Sequence, residues 1–208
     1  VFPGCVYISQ ATEYGTLYTL AELEAIRKVC TKYDMPLFID GARLGYALTA
    51  TGNDVTLEDI ARIADVFYIG GTKVGAMFGE AVVFTHGNMP KNFVTLVKQH
   101  GALLAKGWLL GVQFDTLFTD DLYCGIARHA NDAADRIREV LVERGYTLTF
   151  DAPTNQIFIT LDNATSERLQ RNVRLGFMEK ADDTHTVMRI CTSWATTDEQ
   201  VEQLIALL

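Results

Sequence analysis

Two short apolar runs, each ending in a charged residue, constrain this chain most: PLFIDGAR at 36–43 and VFYIGGTKVG at 66–75. Leu37 to Ile39 and Val66 to Ile69 read as buried strands. Between them TLEDIARIA at 56–64 has helical periodicity, with Leu57, Ile60, Ala61 and Ala64 on one face. A right-handed crossover makes such strands parallel and brings their carboxyl ends to one edge of the sheet, where open α/β folds bind ligands. Asp40 and Lys73 are therefore expected to face one crevice. The competing reading is a turn-capping aspartate and a solvated loop lysine.

Local context favours the crevice. Gly70, Gly71 and Gly75 around Thr72 and Lys73 permit close backbone approach, and the apolar flanks predict a lysine wedged between strands, partly out of water. An amine so placed is suited to attack an aldehyde, and its commonest use is an imine with pyridoxal phosphate. That cofactor needs a carboxylate at its ring nitrogen to keep the nitrogen protonated, and Asp40 is the candidate.

The two segments, FIDGARLGYAL and YIGGTKVGAMFGEAVVF, resemble the aspartate and lysine segments of the threonine aldolase and β-eliminating lyase family of pyridoxal-phosphate enzymes. The resemblance runs from YISQATEYGTLYTLAELEAI to MRICTSWATTDEQVEQLI, nearly the whole chain. It implies an α/β fold, part of a three-layer large domain with a parallel or mixed sheet, followed by a small α+β domain. The expected organisation is 1–120 for the partial large domain, 121–145 for a connecting helix and 146–208 for the small domain.

By resemblance, Lys73 is the cofactor-binding lysine, Asp40 the ring-nitrogen partner, Ala42 the small residue beneath the ring and Thr72 a neighbour of the phosphate. Arg43 of the DGAR motif is expected beside the ring hydroxyl or the substrate carboxylate, and Arg189 matches the late carboxylate-binding arginine. Bidentate guanidinium groups suit both tasks. The plain alternatives are a helix-entry surface arginine for Arg43 and a strand-edge arginine paired with Asp182 or Asp183 for Arg189. Lys98 and Lys106 resemble residues that reach a neighbouring subunit's phosphate, or are solvated lysines.

The implied reaction is retro-aldol cleavage of a β-hydroxy-α-amino acid such as threonine to glycine and an aldehyde. A β-eliminating amino-acid lyase is the alternative. A long amino-terminal segment with the glycine-rich phosphate cup and a ring-stacking histidine is expected in the family and lacking here. The chain then reads as the carboxyl-terminal part of a longer protein, and a non-catalytic truncated fragment or assembly subunit is a further alternative. An open sheet edge predicts association, as a homodimer or homotetramer.

Composition agrees with metabolite chemistry. A chain of 208 residues, 49% hydrophobic, can bury a core, and a net charge of −8 without a basic stripe argues against nucleic acid or anionic membrane. Cys5, Cys30, Cys124 and Cys191 form no CxxC pair, and His86, His100, His129 and His185 show no metal-ligand spacing, so no metal is expected. No apolar run reaches the roughly 18 residues of a membrane span, and a soluble, cytoplasmic protein is expected.

Further elements follow from period and punctuation: a strand from Cys5 to Ser9, a helix from Leu20 to Tyr33, a strand at 80–86, and a helical region from Pro90 through Lys106. A long helix at 122–145 ends at Gly145. Strands at 146–150, 155–161 and 185–194 alternate with helices at Ser166 to Arg174 and Asp198 to Leu207.

Overall fold

In the computed structural model, which describes residues 2–208, the chain forms two compact units. The first comprises residues up to Gln10, Tyr18–Leu44 and Asp54–Tyr123, and the second Ala11–Leu17, Gly45–Asn53 and Cys124–Leu208.

The first unit is built on the strand, helix, strand pattern. Strands β1 (Val6–Ser9), β2 (Leu37–Asp40) and β3 (Val66–Gly70) are parallel neighbours, and β4 (Glu80–Phe84) returns antiparallel to β3, giving a mixed sheet in sequence order. Helices α1 (Leu20–Lys32) and α3 (Leu57–Ile63) make the crossovers. Each starts at a threonine whose hydroxyl accepts an amide hydrogen bond three residues on, while Glu22 or Asp59 caps in return. Leu23, Cys30, Ile60 and Ile63 are buried with Leu37, Ile39 and Phe67. The opposite face carries Tyr7 stacked on Phe38, with Tyr68 beside it. Asp65 ties the strand starts together: its carboxylate accepts from the Leu37 amide at 2.7 Å and pairs with Arg27 at 2.6 Å.

The helical region expected at 90–106 holds one helix, and a second begins beyond it. α4 (Phe93–Gln99) stops where Gly101 takes a positive φ of 73°, and α5 (Trp108–Leu117) starts after an intervening turn. On α4, Phe93 and Val97 are half-buried and Leu96 is exposed, and the Phe93 ring packs edge-on against Phe84.

In the second unit, a four-stranded antiparallel sheet is ordered β5 (Thr147–Leu148), β6 (Gln156–Asp162), β8 (His185–Cys191), β7 (Gly176–Lys180). Ile157, Ile159 and Leu161 of β6 and Met188 and Ile190 of β8 form one buried face with Ala133, Ala134, Ile137 and Leu141 of α6 (Leu122–Glu143) and Val201 of α8 (Asp198–Leu207). The strand expected at 146–150 is reduced to two residues. The helix expected at Ser166 to Arg174 is α7 (Asn163–Gln170), starting earlier because Asp162 caps the Thr165 amide at 2.9 Å. β7 was not anticipated, and the short α2 (Leu44–Leu48) begins directly after Arg43, where the helix-entry alternative puts a helix. β7 is short, largely exposed and bulged between Phe177 and Glu179, so it lacks a clean alternation.

The first unit depends on glycines at the strand ends. A Cβ added at Gly41 would lie 2.0 Å from the Tyr68 carbonyl oxygen, and one at Gly70 2.3 Å from that of Ala42. Gly41→Ala is therefore expected to destabilise the chain by at least ~1–3 kcal/mol, the usual cost of overpacking, measured by denaturant unfolding.

Candidate active site

Asp40 ends β2, and Lys73 lies three residues beyond the end of β3, so the parallel pairing delivers both to the carboxyl edge of the sheet. The two charges sense each other there. The strand ends are laced by a hydrogen bond from the Gly70 amide to the Gly41 carbonyl at 2.9 Å.

Asp40 is held by a dense set of donors. Its Oδ1 accepts from the Ala42 amide at 2.9 Å, its Oδ2 accepts from the Tyr7 hydroxyl, and the Tyr68 hydroxyl also donates to it. Burial opposes ionisation of this carboxyl. The Tyr68 and Tyr7 hydroxyls, the Ala42 amide and the Lys73 charge outweigh it and hold the group below the usual aspartate range. The same arrangement pushes the Tyr68 hydroxyl far above the ordinary phenol range, through burial first and the Asp40 carboxylate second.

Lys73 is not wedged between strands. It is exposed, with Thr72, on a turn, and the buried residue there is Val74. Gly70 and Gly71, where the turn leaves the sheet edge, are buried.

Glu80 was missed by the sequence reading. It lies opposite Gly70 in the β3–β4 ladder, and its carboxylate accepts from the Gly71 amide at 2.7 Å and from the Thr72 side chain, close to Lys73. Burial raises its proton affinity above the usual glutamate range against the Gly71 amide, the Lys73 charge and Thr72, and the Asp40 charge adds to the rise. Tyr7 and Tyr68 were missed too. The alternation that places Tyr7, Phe38 and Tyr68 on the Asp40 face was the available signal.

The remaining candidates are distributed as follows. Ala42 and Arg43 follow Asp40 and are half-buried. Lys98 lies on α4 and Lys106 just before α5, both exposed. Arg189 belongs to the second unit, on β8, where its Nη1 donates to Gln156 Oε1 at 3.2 Å. Among the described residues the alternative pairing with Asp182 or Asp183 is not found, and the Asp182 carboxylate binds Thr184 and His185 within its own turn.

Comparisons with known proteins place this architecture. Residues 3–174 match the β-eliminating lyase family, and the chain belongs to it. It is 31% identical over 203 residues to a low specificity L-threonine aldolase of Pseudomonas aeruginosa, covering 97% of this chain and 58% of that enzyme. The solved threonine aldolase of Leishmania major superposes with a TM-score of 0.96 at 42% identity, over 100% of this chain and 60% of that one. The chain thus spans about three-fifths of the relatives it matches. At the level of fold alone, the aspartate aminotransferase of Thermus thermophilus superposes with a TM-score of 0.70 at 15% identity, over 98% of this chain and 55% of that one. The fold is the α/β fold of the pyridoxal-phosphate transferases, with a mixed sheet in the first unit.

The two carboxylates should separate in a carboxyl-resolved NMR titration, with Asp40 below the ordinary range and Glu80 above it. Asp40, lowered on folding, stabilises the fold above its unfolded value of about 3.9, and that contribution is lost as pH falls through the lower folded value. Glu80 has the opposite sign: its contribution is full below about 4.3 and is lost as pH rises through its raised folded value.

Proposed function

We propose that this chain serves a pyridoxal-phosphate-dependent carbon–carbon lyase that cleaves β-hydroxy-α-amino acids, threonine among them, to glycine and an aldehyde. The observation that carries this reading is the pair at the sheet edge: an ionised aspartate held by three donors, in electrostatic reach of an exposed lysine amine. The 42% identity to the Leishmania threonine aldolase supports aldol cleavage over other chemistry of the same fold.

The residues fit the cofactor. A phosphorylated pyridine aldehyde needs an amine for its aldehyde, an anion for its ring nitrogen and little steric bulk beneath its ring, and Lys73, Asp40 and Ala42 offer these in one unit. When bound, pyridoxal phosphate supplies an electron sink for the bond broken at the substrate α-carbon.

Each side chain then has a defined task. Lys73 would hold the cofactor's aldehyde through Nζ and, as a free amine, would carry a proton there. Asp40, kept ionised by Tyr68 and Tyr7, would hold a proton on the ring nitrogen. Thr72 is assigned to the phosphate, and Lys98 and Lys106 of a neighbouring copy are further phosphate candidates. Arg43 and Arg189 are assigned to the substrate carboxylate, whose orientation selects the bond that breaks. The same clamp, shifted slightly, gives β-elimination, which is distinguished by release of a keto acid and ammonia.

We assign a homodimer or homotetramer on the exposed apolar side chains of Val94 and Leu96 on α4 and Trp108, Leu109 and Val112 on α5. Among the described residues no helix is long and apolar enough to cross a membrane, and none of the four cysteines forms a disulfide, in keeping with a proposed cytoplasmic location.

Incubation with pyridoxal phosphate and L-threonine is expected to release glycine and acetaldehyde in equal amounts. Lys73→Ala should abolish release, and Asp40→Asn should lower kcat by ~10²-fold or more, as for loss of a preorganised electrostatic partner. Keto acid and ammonia in place of glycine would contradict aldol cleavage.

A further inference from the structure

We propose that Gln156 is a positioning residue that aims the Arg189 guanidinium while leaving its positive charge uncompensated for a carboxylate arriving from solution. This rests on the reading that Arg189 takes the substrate carboxylate, and it identifies the protein group that makes the arginine available.

The pairing follows from the second sheet. Arg189 on β8 lies opposite Phe158 on β6 and Gly176 on β7, and Gln156 lies opposite Cys191, so Gln156 and Arg189 are diagonal neighbours on one face. The hydrophobic residues of the other face, Ile157, Ile159, Met188 and Ile190, fill the core, which fixes the register. Gln156 is fully buried. Its amide orientation is set on both sides: Nε2 donates to the Glu13 carbonyl at 3.4 Å, so Oε1 faces Arg189 and accepts from Nη1 at 3.2 Å. Phe158 beside it is buried against Tyr14 and Phe150.

Two features then leave the guanidinium receptive. Among the described residues no carboxylate pairs with Arg189, although it is half-buried. A half-buried guanidinium held only by a neutral acceptor keeps most of its donors and its full charge for an external anion. On its other side Gly176 has no side chain, and a Cβ there would sit 3.5 Å from Arg189 Nε, in contact with the arginine stem. A glutamate at 156 would hold the arginine equally well and quench it. Glutamine holds it without quenching.

The test is the rate at which an arginine-specific dicarbonyl reagent, phenylglyoxal, modifies Arg189, followed by peptide mass mapping of the whole chain. Glu at 156 supplies an internal counter-ion, so Gln156→Glu is expected to slow Arg189 modification several-fold. Met is similar in size without the acceptor, so Gln156→Met is expected to speed modification by freeing the side chain. Equal rates in the wild type and both variants would overturn the positioning role. Should the buried charge of Gln156→Glu prevent folding, the Gln156→Met comparison decides alone. L-threonine added in parallel reports separately on the carboxylate reading: protection of wild-type Arg189 supports it, and its absence defeats that reading while the variant rates still decide the role of Gln156.

Discussion

Where β2 and β3 end, their backbones run too close for either to carry a side chain, and the first unit's site depends on that approach. The Gly70 amide bonds the Gly41 carbonyl, and the space a Cβ would take at either glycine is filled by a carbonyl oxygen from the other segment. Parallel pairing alone would bring Asp40 and Lys73 to one edge of the sheet. The glycine crossing carries the chain past that edge at close quarters, so the lysine-bearing turn starts beside the aspartate.

On that frame two carboxylates are driven apart in acidity. Asp40 has burial against it and three donors plus a lysine for it, and the donors prevail. Glu80 has fewer donors and a second carboxylate nearby, and burial prevails. One carboxyl is thereby held below its ordinary range and the other above it, next to the Gly71–Lys73 turn. Environments that separate two carboxylates in this way are a usual means of dividing electrostatic and proton-handling roles within one site.

Much of this was legible in the sequence where the signal is local. The helices expected from Leu20, within 56–64 and from Asp198 are found there, each opened by a threonine with a reciprocal cap. The runs from Leu37 to Ile39 and from Val66 to Ile69 read correctly as strands, each one residue longer in the structure, because buried parallel strands are continuously apolar. Contacts across strands were harder. The bonds from Tyr7 and Tyr68 to Asp40, and from Gly71 to Glu80, join residues that only register brings together. The exposure of Lys73 was misjudged because Val74 and Ala76, not the lysine, are the residues the turn buries. β7 escaped because Phe177 is exposed and Glu179 and Lys180 are polar, so no buried face announces a strand.

The central claim is that Lys73, beside an ionised Asp40, is the amine this chain offers to an aldehyde cofactor. The most direct measurement is incubation with pyridoxal phosphate, reduction with borohydride and mass mapping of the pyridoxyl label. The account predicts one label per chain at Lys73, greatly reduced in the Asp40→Asn variant. A label spread evenly over exposed lysines such as Lys28, Lys32 and Lys91, with Lys73 no more reactive than they are, would contradict it.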